Sequence, residues 1–211
     1  MKKIFQINII KFIYYNYLCK KVKRDKGAKL IPYRGARIEL KKGACLILHA
    51  NLNVCIGKVK GSHEEAYVQL HENSVLEVNG HVMVAYGAMI QAHPNAKITI
   101  GQSYLNTRAT IVAEKEINIG NDVLISRDSI IFDSDFHPVF NEEGERANEP
   151  KAVNIENHVW IGVKAVILRG VTLHEGAVIG ATALVTADVK EKVMISGMPG
   201  RAFGYIDWRT K

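Results

Sequence analysis

The sequence lacks the features that mark disulfide-bonded and membrane-spanning proteins. Its 211 residues include only three cysteines, an odd number without any CxxC pair, namely Cys19, Cys45 and Cys55. A disulfide framework and a thiolate zinc site are therefore both disfavoured, and a reducing compartment fits the composition. The chain also has no apolar run of the roughly 18 residues that a membrane-spanning helix needs.

A cleavable secretion signal is disfavoured too, although the first residues, MKKIFQINIIKFIYYNYL, imitate one by their lysines and isoleucines. Gln6, Asn8 and Lys11 interrupt the apolar stretch, and no small-residue cleavage site follows it. We therefore expect a cytoplasmic protein. With 47% hydrophobic residues, the chain can bury a core, which sets it apart from disordered sequences.

Negative charge is scarce at the start of the chain. Residues 1–42 carry 13 Lys and Arg against 2 Asp and Glu, a balance of +11, whereas the remainder carries 15 against 19, a balance of −4. The net charge of +7 therefore describes a basic N-terminal segment on a mildly acidic body. This distribution, without any recognition motif, argues against a nucleic-acid partner.

The basic segment, residues 1–30, has the pattern of an amphipathic helix. Apolar and aromatic residues recur at helical spacing at Ile7, Ile10, Tyr14, Tyr17 and Leu18. We predict a helix over residues 3–24, before the pattern ends at Gly27. One interpretation packs this helix on the body of the protein or on a neighbouring subunit. In the other, its aromatic face and cationic flank make a peripheral contact with the inner face of an anionic membrane.

The body of the chain is a six-residue repeat. Counting in sixes meets an aliphatic residue at every step, at Ile155, Ile161, Ile167, Leu173, Ile179 and Val185. Four positions further on, each hexad holds a small or β-branched residue. A helix of 3.6 residues per turn cannot keep that register over six units, whereas short strands separated by turns can.

We therefore predict an all-β fold, a parallel β-helix of hexapeptide repeats over residues 31–204 with a short C-terminal tail at 205–211. Three hexads would make one coil of a three-sided prism. Ile161 would then stack under Ile179 and Gly162 under Gly180, with neighbouring coils about 4.8 Å apart. Such a stack needs a cap at each end, and the N-terminal helix and the last segment are the candidates.

The repeat is interrupted where a histidine stands in an aliphatic position. Ile119, Ile125 and Ile131 keep the count of six, and the next position in phase is His137, within DSDFHP. A polar and acidic stretch with a proline at each end follows it. We predict that the chain leaves the coil here and forms a loop over residues 138–152.

Two segments carry a resemblance to a known family. NIENHVWIGVKAVILRGVTLHEGAVIGATALVTADV, followed by SGMPGRAF, is similar to the hexapeptide-repeat acyltransferases, and DSDFHP resembles their catalytic segment. The similarity covers roughly residues 70–204 and points to the branch of galactoside, maltose and xenobiotic acetyltransferases and polysaccharide O-acetyltransferases. It implies a left-handed β-helix, a homotrimer, and transfer of an acetyl group from acetyl-CoA, without a metal, to a hydroxyl of a sugar or surface-polysaccharide precursor.

The resemblance also implies roles for individual residues. His137 matches the family's histidine, which acts as general base and then as general acid in a direct transfer. Asp135 lies two residues earlier, on the same side of the chain if the strand continues, and is our candidate for orienting the ring, with a backbone carbonyl as the alternative. Asn106, in SYLNTRATI, resembles an asparagine of the acceptor site. Residues that match CoA-binding positions are Trp160, Gly162, Ala181, Thr186 and Arg201.

Three other functions remain open at this point. A nucleotide-sugar N-acetyltransferase is the nearest enzymatic alternative, but such enzymes often carry an additional Rossmann-type domain, and this chain has no GxGxxG. A metal-dependent, carbonic-anhydrase-like β-helix needs three converging histidines, and only His93 and His137 are candidates. A non-catalytic β-helix would not need His137 with an excursion loop beside it.

Overall fold

The computed structural model describes residues 6–209, which form one stack of short strands. Numbered along the chain, the first strands are Val22–Arg24 (β1), Leu30–Pro32 (β2), Ala36–Leu40 (β3), Cys45–Leu48 (β4), Leu52–Ile56 (β5), Ala66–Leu70 (β6), Val75–Val78 (β7), Val82–Ala85 (β8), Met89–Ala92 (β9), Lys97–Ile100 (β10), Ser103–Leu105 (β11) and Thr110–Ala113 (β12). The others are Glu116–Ile119 (β13), Val123–Ile125 (β14), Ile130–Phe132 (β15), Val153–Ile155 (β16), Trp160–Ile161 (β17), Val166–Ile167 (β18), Thr172–Leu173 (β19), Val178–Ile179 (β20), Leu184–Val185 (β21), Val193–Ser196 (β22) and Arg201–Tyr205 (β23).

As far as β21, every third strand joins the same sheet, so the chain winds as a three-sided prism. Face 1 contains β1, β4, β7, β10, β13, β16 and β19; face 2 contains β2, β5, β8, β11, β14, β17, β20, β22 and β23; face 3 contains β3, β6, β9, β12, β15, β18 and β21. We call the corner between faces 2 and 3 edge 2/3, and the corner between faces 3 and 1 edge 3/1. The fold is a left-handed parallel β-helix, as the resemblance implied.

The core is a set of aliphatic columns that run along the inside of the prism. Ile125, Ile161 and Ile179 lie in register on successive strands of face 2, and all three are buried. The predicted stacking of Ile161 under Ile179 is therefore confirmed. The alternation of strand side chains sends every second residue inward, which is why a hexad supplies its aliphatic residues at constant spacing.

The N-terminal helix is shorter than predicted. An α-helix, Ile9–Ile13 (α1), continues as a π-helical segment, Tyr14–Leu18, and the chain then becomes extended. Val22–Arg24 pairs in parallel with Cys45–Leu48, so the prediction of helix as far as residue 24 is wrong, and the β-helix begins before residue 31. The edge of the next coil offers backbone hydrogen bonds to an extended segment; the N–H of Leu46, for example, donates to the carbonyl of Lys21. Residues 3–5 of the predicted helix lie outside the described residues.

The excursion and the C-terminal segment complete the fold. The chain leaves the prism after Phe132 and returns at Val153, so the loop covers residues 133–152 and includes the predicted one. β23 folds back antiparallel on β22 at the last coil of face 2. Cys19, Cys45 and Cys55 are free thiols. Neither helical segment within residues 6–209 has the length and apolar character that crossing a membrane would require.

Candidate active site

The base of the excursion is anchored by Asp133 at edge 3/1. Its side chain is fully buried, and its carboxylate accepts hydrogen bonds from the backbone N–H groups of Glu114, Lys115 and Glu116 at 2.7, 2.7 and 2.6 Å. Burial raises the pKa of Asp133, and the three N–H donors oppose that rise. Strand alternation from Ile131 thus sends Asp133 inward, and the loop starts from a rigid point.

His137 lies beyond this anchor and is exposed. Its backbone carbonyl accepts a hydrogen bond of 2.8 Å from Nδ2 of Asn148, which holds the main chain at this position. Within residues 6–209, no side-chain hydrogen bond engages the imidazole. The ring is therefore presented to solvent on a fixed backbone, as a proton acceptor for a bound substrate needs to be.

Asp135 does not orient His137 in this structure. Its carboxylate accepts hydrogen bonds from Asn148 Nδ2 at 2.9 Å and from Arg169 Nε at 3.2 Å. The prediction that Asp135 and His137 point to the same side of the chain requires an extended backbone between them. Phe136, the residue between them, has a φ of 58°, outside the extended region. The left-handed residue between them breaks the alternation, so Asp135 ties the loop back to the coil instead.

Asn148 is a residue that sequence reasoning missed. It is buried in the loop and, besides Asp135 and the carbonyl of His137, its Oδ1 accepts the N–H of Val139 at 2.7 Å. It therefore joins both arms of the excursion on either side of the histidine. One asparagine among the polar residues of a predicted loop carries no local signal of this role.

Aromatic stacking supports the loop from the other side. Phe136 stacks on His93 with ring centroids 5.2 Å apart, His93 stacks on His71 at 5.4 Å, and Phe132 meets Phe136 edge-on at 5.2 Å. Burial, with His71 as a secondary cause, lowers the pKa of His93. In the described part of the chain, no group of three His, Cys, Asp or Glu side chains is placed to hold a metal ion.

A second set of predicted residues lies at edge 2/3. Trp160 is the outward residue of β17; the residue is 41% exposed and its Nε1–H donates to Ser126 Oγ at 3.2 Å. Ala181 is exposed two residues after the end of β20, and Asn106 follows β11, where its Oδ1 accepts the N–H of Thr107 at 2.8 Å. We call the outward surface of Trp160 and Ala181 along this edge the shelf.

Gly162, on the same edge, has a structural reason to be glycine. It is buried, and a Cβ there would lie 2.6 Å from the carbonyl oxygen of Ile179 and 2.8 Å from the amide nitrogen of Ala181. Successive coils therefore approach each other at this corner too closely for any side chain. The close approach also places Ala181 next to Gly162, in the coil that follows.

Thr186 and Arg201 lie apart from that shelf. Thr186 follows β21 at edge 3/1, where it lines a cavity of about 380 Å³ together with Asp135, Lys151 and Arg169. Arg201 is exposed at the start of β23, on the last coil. The predicted residues therefore divide: His137, Asp135 and Thr186 lie at edge 3/1, whereas face 3 separates them from the shelf at edge 2/3.

A side-chain cluster next to Trp160 fastens the C-terminal segment. The ring of Trp208 stacks on His158 with centroids 4.1 Å apart and lies 6.1 Å from the ring of Trp160. Trp208 Nε1–H donates to the carbonyl of His158 at 3.0 Å. His158 faces Asp122 Oδ2 at 2.6 Å through Nδ1 and the Trp208 carbonyl at 2.9 Å through Nε2. Both ring nitrogens face acceptors, so both bonds require the imidazolium form.

This cluster predicts that the C-terminal segment docks more tightly at low pH. The hydrogen bond to Asp122 raises the pKa of His158, although partial burial opposes it. A raised pKa in the folded state means that the stabilisation is fully present below the ordinary value of about 6.5 and is lost as pH rises through the higher, folded-state value. In a Trp160→Phe variant, which leaves Trp208 as the only tryptophan, we expect the fluorescence emission to shift to the red as the pH rises above the ordinary histidine value of about 6.5.

The matched control is Trp160→Phe combined with His158→Gln, which should show no transition over this range because the amide does not titrate. An emission maximum that stays constant in Trp160→Phe itself would contradict the prediction.

The chain is similar to several known proteins. No protein-family model matches the chain. It is 34% identical over 151 residues to galactoside O-acetyltransferase of Escherichia coli (strain K12), covering 70% of this chain and 68% of that protein. It is 32% identical over 137 residues to polysialic acid O-acetyltransferase of Escherichia coli O1:K1 / APEC, covering 64% of this chain and 42% of that protein. The crystal structure of the polysialic acid O-acetyltransferase OatWY superimposes with a TM-score of 0.55 at 22% identity, over 90% of both chains, and so shares the fold.

Proposed function

Because this chain belongs to the hexapeptide-repeat acetyltransferases, we propose that it transfers an acetyl group from acetyl-CoA to a hydroxyl of a sugar or surface-polysaccharide precursor. The observation that carries the proposal is His137, an exposed imidazole on a backbone held by Asp133 and Asn148. The named activities of the relatives, which are O-acetyltransferases of galactosides and of polysialic acid, support this substrate class.

In the proposed mechanism, His137 only transfers a proton and forms no covalent bond with the acetyl group. Its neutral imidazole removes the proton of the acceptor hydroxyl as the oxygen forms a bond to the thioester carbonyl carbon. The carbon–sulfur bond then breaks, and the imidazolium returns the proton to the departing thiolate. Each atom is accounted for without an acyl-enzyme, and the sequence has no GxSxG nucleophile motif.

Acetyl-CoA supplies the thioester, and the shelf at edge 2/3 has the chemistry to hold it. The exposed indole of Trp160 and the small Ala181 suit a thin pantetheine arm, and Gly162 supports this site by letting the coil that carries Ala181 pack closely against its own coil. The exposed guanidinium of Arg201 suits a phosphate group, because its planar fork can form two charge-assisted hydrogen bonds. Thr186 and Asn106 keep their predicted roles, in cofactor and acceptor binding respectively, as part of this proposal.

The proposal also includes a homotrimer. His137 lies at edge 3/1, whereas Trp160 and Ala181 lie at edge 2/3, with face 3 between them. A three-fold assembly that brings edge 3/1 of one subunit against edge 2/3 of the next would unite base and donor in a cleft. One chain by itself would then hold the base half of one site and the donor half of another, without a complete site, and activity would depend on assembly.

The test is a calorimetric titration of the purified protein with acetyl-CoA, combined with light scattering for the oligomeric state. We expect saturable binding near one molecule per chain and a trimeric mass. Arg201→Ala should weaken binding roughly tenfold, because a charge-assisted hydrogen bond is worth about 1.5–3 kcal/mol. Arg209→Ala, a change at another exposed arginine, should leave binding unchanged.

The acceptor is then identified by following release of the CoA thiol with a panel of galactosides, sialic acid polymers and amino sugars. Transfer to hydroxyls supports the proposal, whereas transfer to amines alone would favour an N-acetyltransferase. A folded protein that binds no acetyl-CoA at millimolar concentration would overturn the proposed reaction.

A further inference from the structure

The N-terminal helical region, Ile9–Leu18, turns an apolar stripe away from the protein. Six large apolar or aromatic side chains are between 48% and 82% exposed, namely Ile9, Ile10, Ile13, Tyr14, Tyr17 and Leu18. They recur in pairs four residues apart, so they form one continuous surface on the helix. An exposed patch of this kind marks an interaction site more often than an ordinary surface does.

The opposite side of the same helix carries polar groups that face the protein. Lys11 Nζ donates to the carbonyl of Ala36 at 2.6 Å, and Tyr15 Oη–H donates to that of Ile38 at 2.7 Å. The buried Asn16 donates to the carbonyl of Leu30 at 2.7 Å and accepts its N–H at 3.0 Å. These contacts satisfy the open edge of the first coils, as a β-helix cap must.

The usual amphipathic arrangement is thereby reversed, because the polar side packs on the body and the apolar side is left in water. Capping the coil does not explain the stripe, since none of its six side chains is needed for the four hydrogen bonds to Ala36, Ile38 and Leu30. Within residues 6–209, no other segment covers the stripe.

Charge around the stripe selects the partner. Lys20, Lys23 and Lys26 are exposed just beyond its end, and the cationic groups of Arg24 and Lys29 lie 5.2 and 5.3 Å from the ring centre of Tyr17. The two acidic residues within positions 1–42, Asp25 and Glu39, are already paired with His49 and Lys41. A second copy docked stripe against stripe would bring the same cations together, which disfavours that contact.

We propose that this surface docks on an anionic lipid bilayer. The apolar side chains would enter the boundary between headgroups and acyl chains, with the tyrosines at headgroup level and the lysines on the phosphates. The contact lies in the plane of the membrane and leaves the prism in water. It depends on neither acetyl-CoA nor His137, so it stands or falls separately from the proposed reaction.

The test is co-sedimentation of the full chain with vesicles of phosphatidylcholine and phosphatidylglycerol at a ratio of about 3:1, against vesicles of phosphatidylcholine alone. We expect the anionic vesicles to bind at least roughly tenfold more tightly, and binding to weaken as salt is raised. Ile10→Asp and Tyr17→Asp should each reduce binding to anionic vesicles by roughly tenfold or more, because each places a charge in the apolar stripe.

Phe203→Asp is the matched control. Phe203 is 80% exposed, close to the 82% of Ile10, but it lies on β23 at the last coil, at the other end of the prism. It should bind anionic vesicles as the wild type does, and all variants should melt at the wild-type temperature. The proposal would be overturned if the wild-type protein did not bind anionic vesicles, or if Ile10→Asp bound them as tightly as the wild type does. A lower oligomeric state in Ile10→Asp, without vesicle binding by the wild type, would assign the stripe to a second copy.

Discussion

His137→Ala lowers kcat by about 10²–10⁴-fold and leaves the affinity for acetyl-CoA unchanged. The loss has this size because the exposed imidazole is the proposed proton acceptor, and positioned general bases contribute about this much to a rate. The affinity is retained because His137 acts on the proton of the acceptor hydroxyl and is not among the residues proposed to hold acetyl-CoA. The measurement is the initial rate of CoA-thiol release with a hydroxyl acceptor, alongside the calorimetric titration.

The control for this prediction is His63→Ala. His63 is also exposed but lies in the segment between β5 and β6, on the N-terminal half of the prism. It should turn over as the wild type does. If His137→Ala kept normal turnover, the general-base role would be lost, and the excursion would have to serve another purpose.

Gly162→Ala destabilises the folded protein by about 2–3 kcal/mol, which lowers the melting temperature by roughly 5–10 °C. The reason is steric: the new Cβ would lie 2.6, 2.8 and 2.9 Å from backbone atoms of Ile179, Ala181 and Gly180. Backbone atoms of a packed coil cannot move aside as the end of a flexible side chain can. The measurement is thermal unfolding followed by circular dichroism.

Gly180→Ala is the control, one coil further along the same column. The nearest atoms to a Cβ at Gly180 are the carbonyl oxygen of Ile195 at 3.1 Å and Cβ of Ser196 at 3.2 Å, which small shifts can accommodate. We expect a cost of less than about 1 kcal/mol. Equal costs at the two glycines would show that the close approach of coils at edge 2/3 is not what makes Gly162 a glycine.

The two substitutions also separate the packing role of Gly162 from its predicted role in binding. The family resemblance assigned Gly162 to the CoA groove, whereas the structure explains it by the approach of the next coil.

The site was harder to predict than the fold, and Asp135 shows why. Asp135 and His137 are two residues apart, so their side chains point to one side only if the backbone between them is extended. It is not extended, because Phe136 has a φ of 58°. The actual partners of Asp135 are Arg169 and Asn148, which lie 34 and 13 residues away along the chain. No local pattern encodes such pairs, because they depend on where the loop folds back.

The N-terminal helix shows a related limit. The prediction of a helix is confirmed over Ile9–Leu18. The spacing of apolar residues did not show where the helix ends or which of its sides faces the protein. Val22–Arg24 became a strand because the neighbouring coil supplies a hydrogen-bonding edge, and the polar side of the helix faces inward because that edge has unpaired backbone groups. In both cases, the deciding partner is distant in sequence.

The sequence by itself determined the prism. Two inward positions per hexad specify strand, turn and direction locally, so the stacking of Ile161 under Ile179 follows from the sequence alone. It also singled out His137, because a histidine and a polar excursion interrupt that period. Only the tertiary structure decided four features that the six-residue repeat does not specify. They are the burial of the Asp133 carboxylate, the partners of Asp135, the stacking of Trp208 on His158 and the side of the helix that faces outward. These depend on contacts between segments that follow no common repeat, and such contacts are set only when the chain has folded.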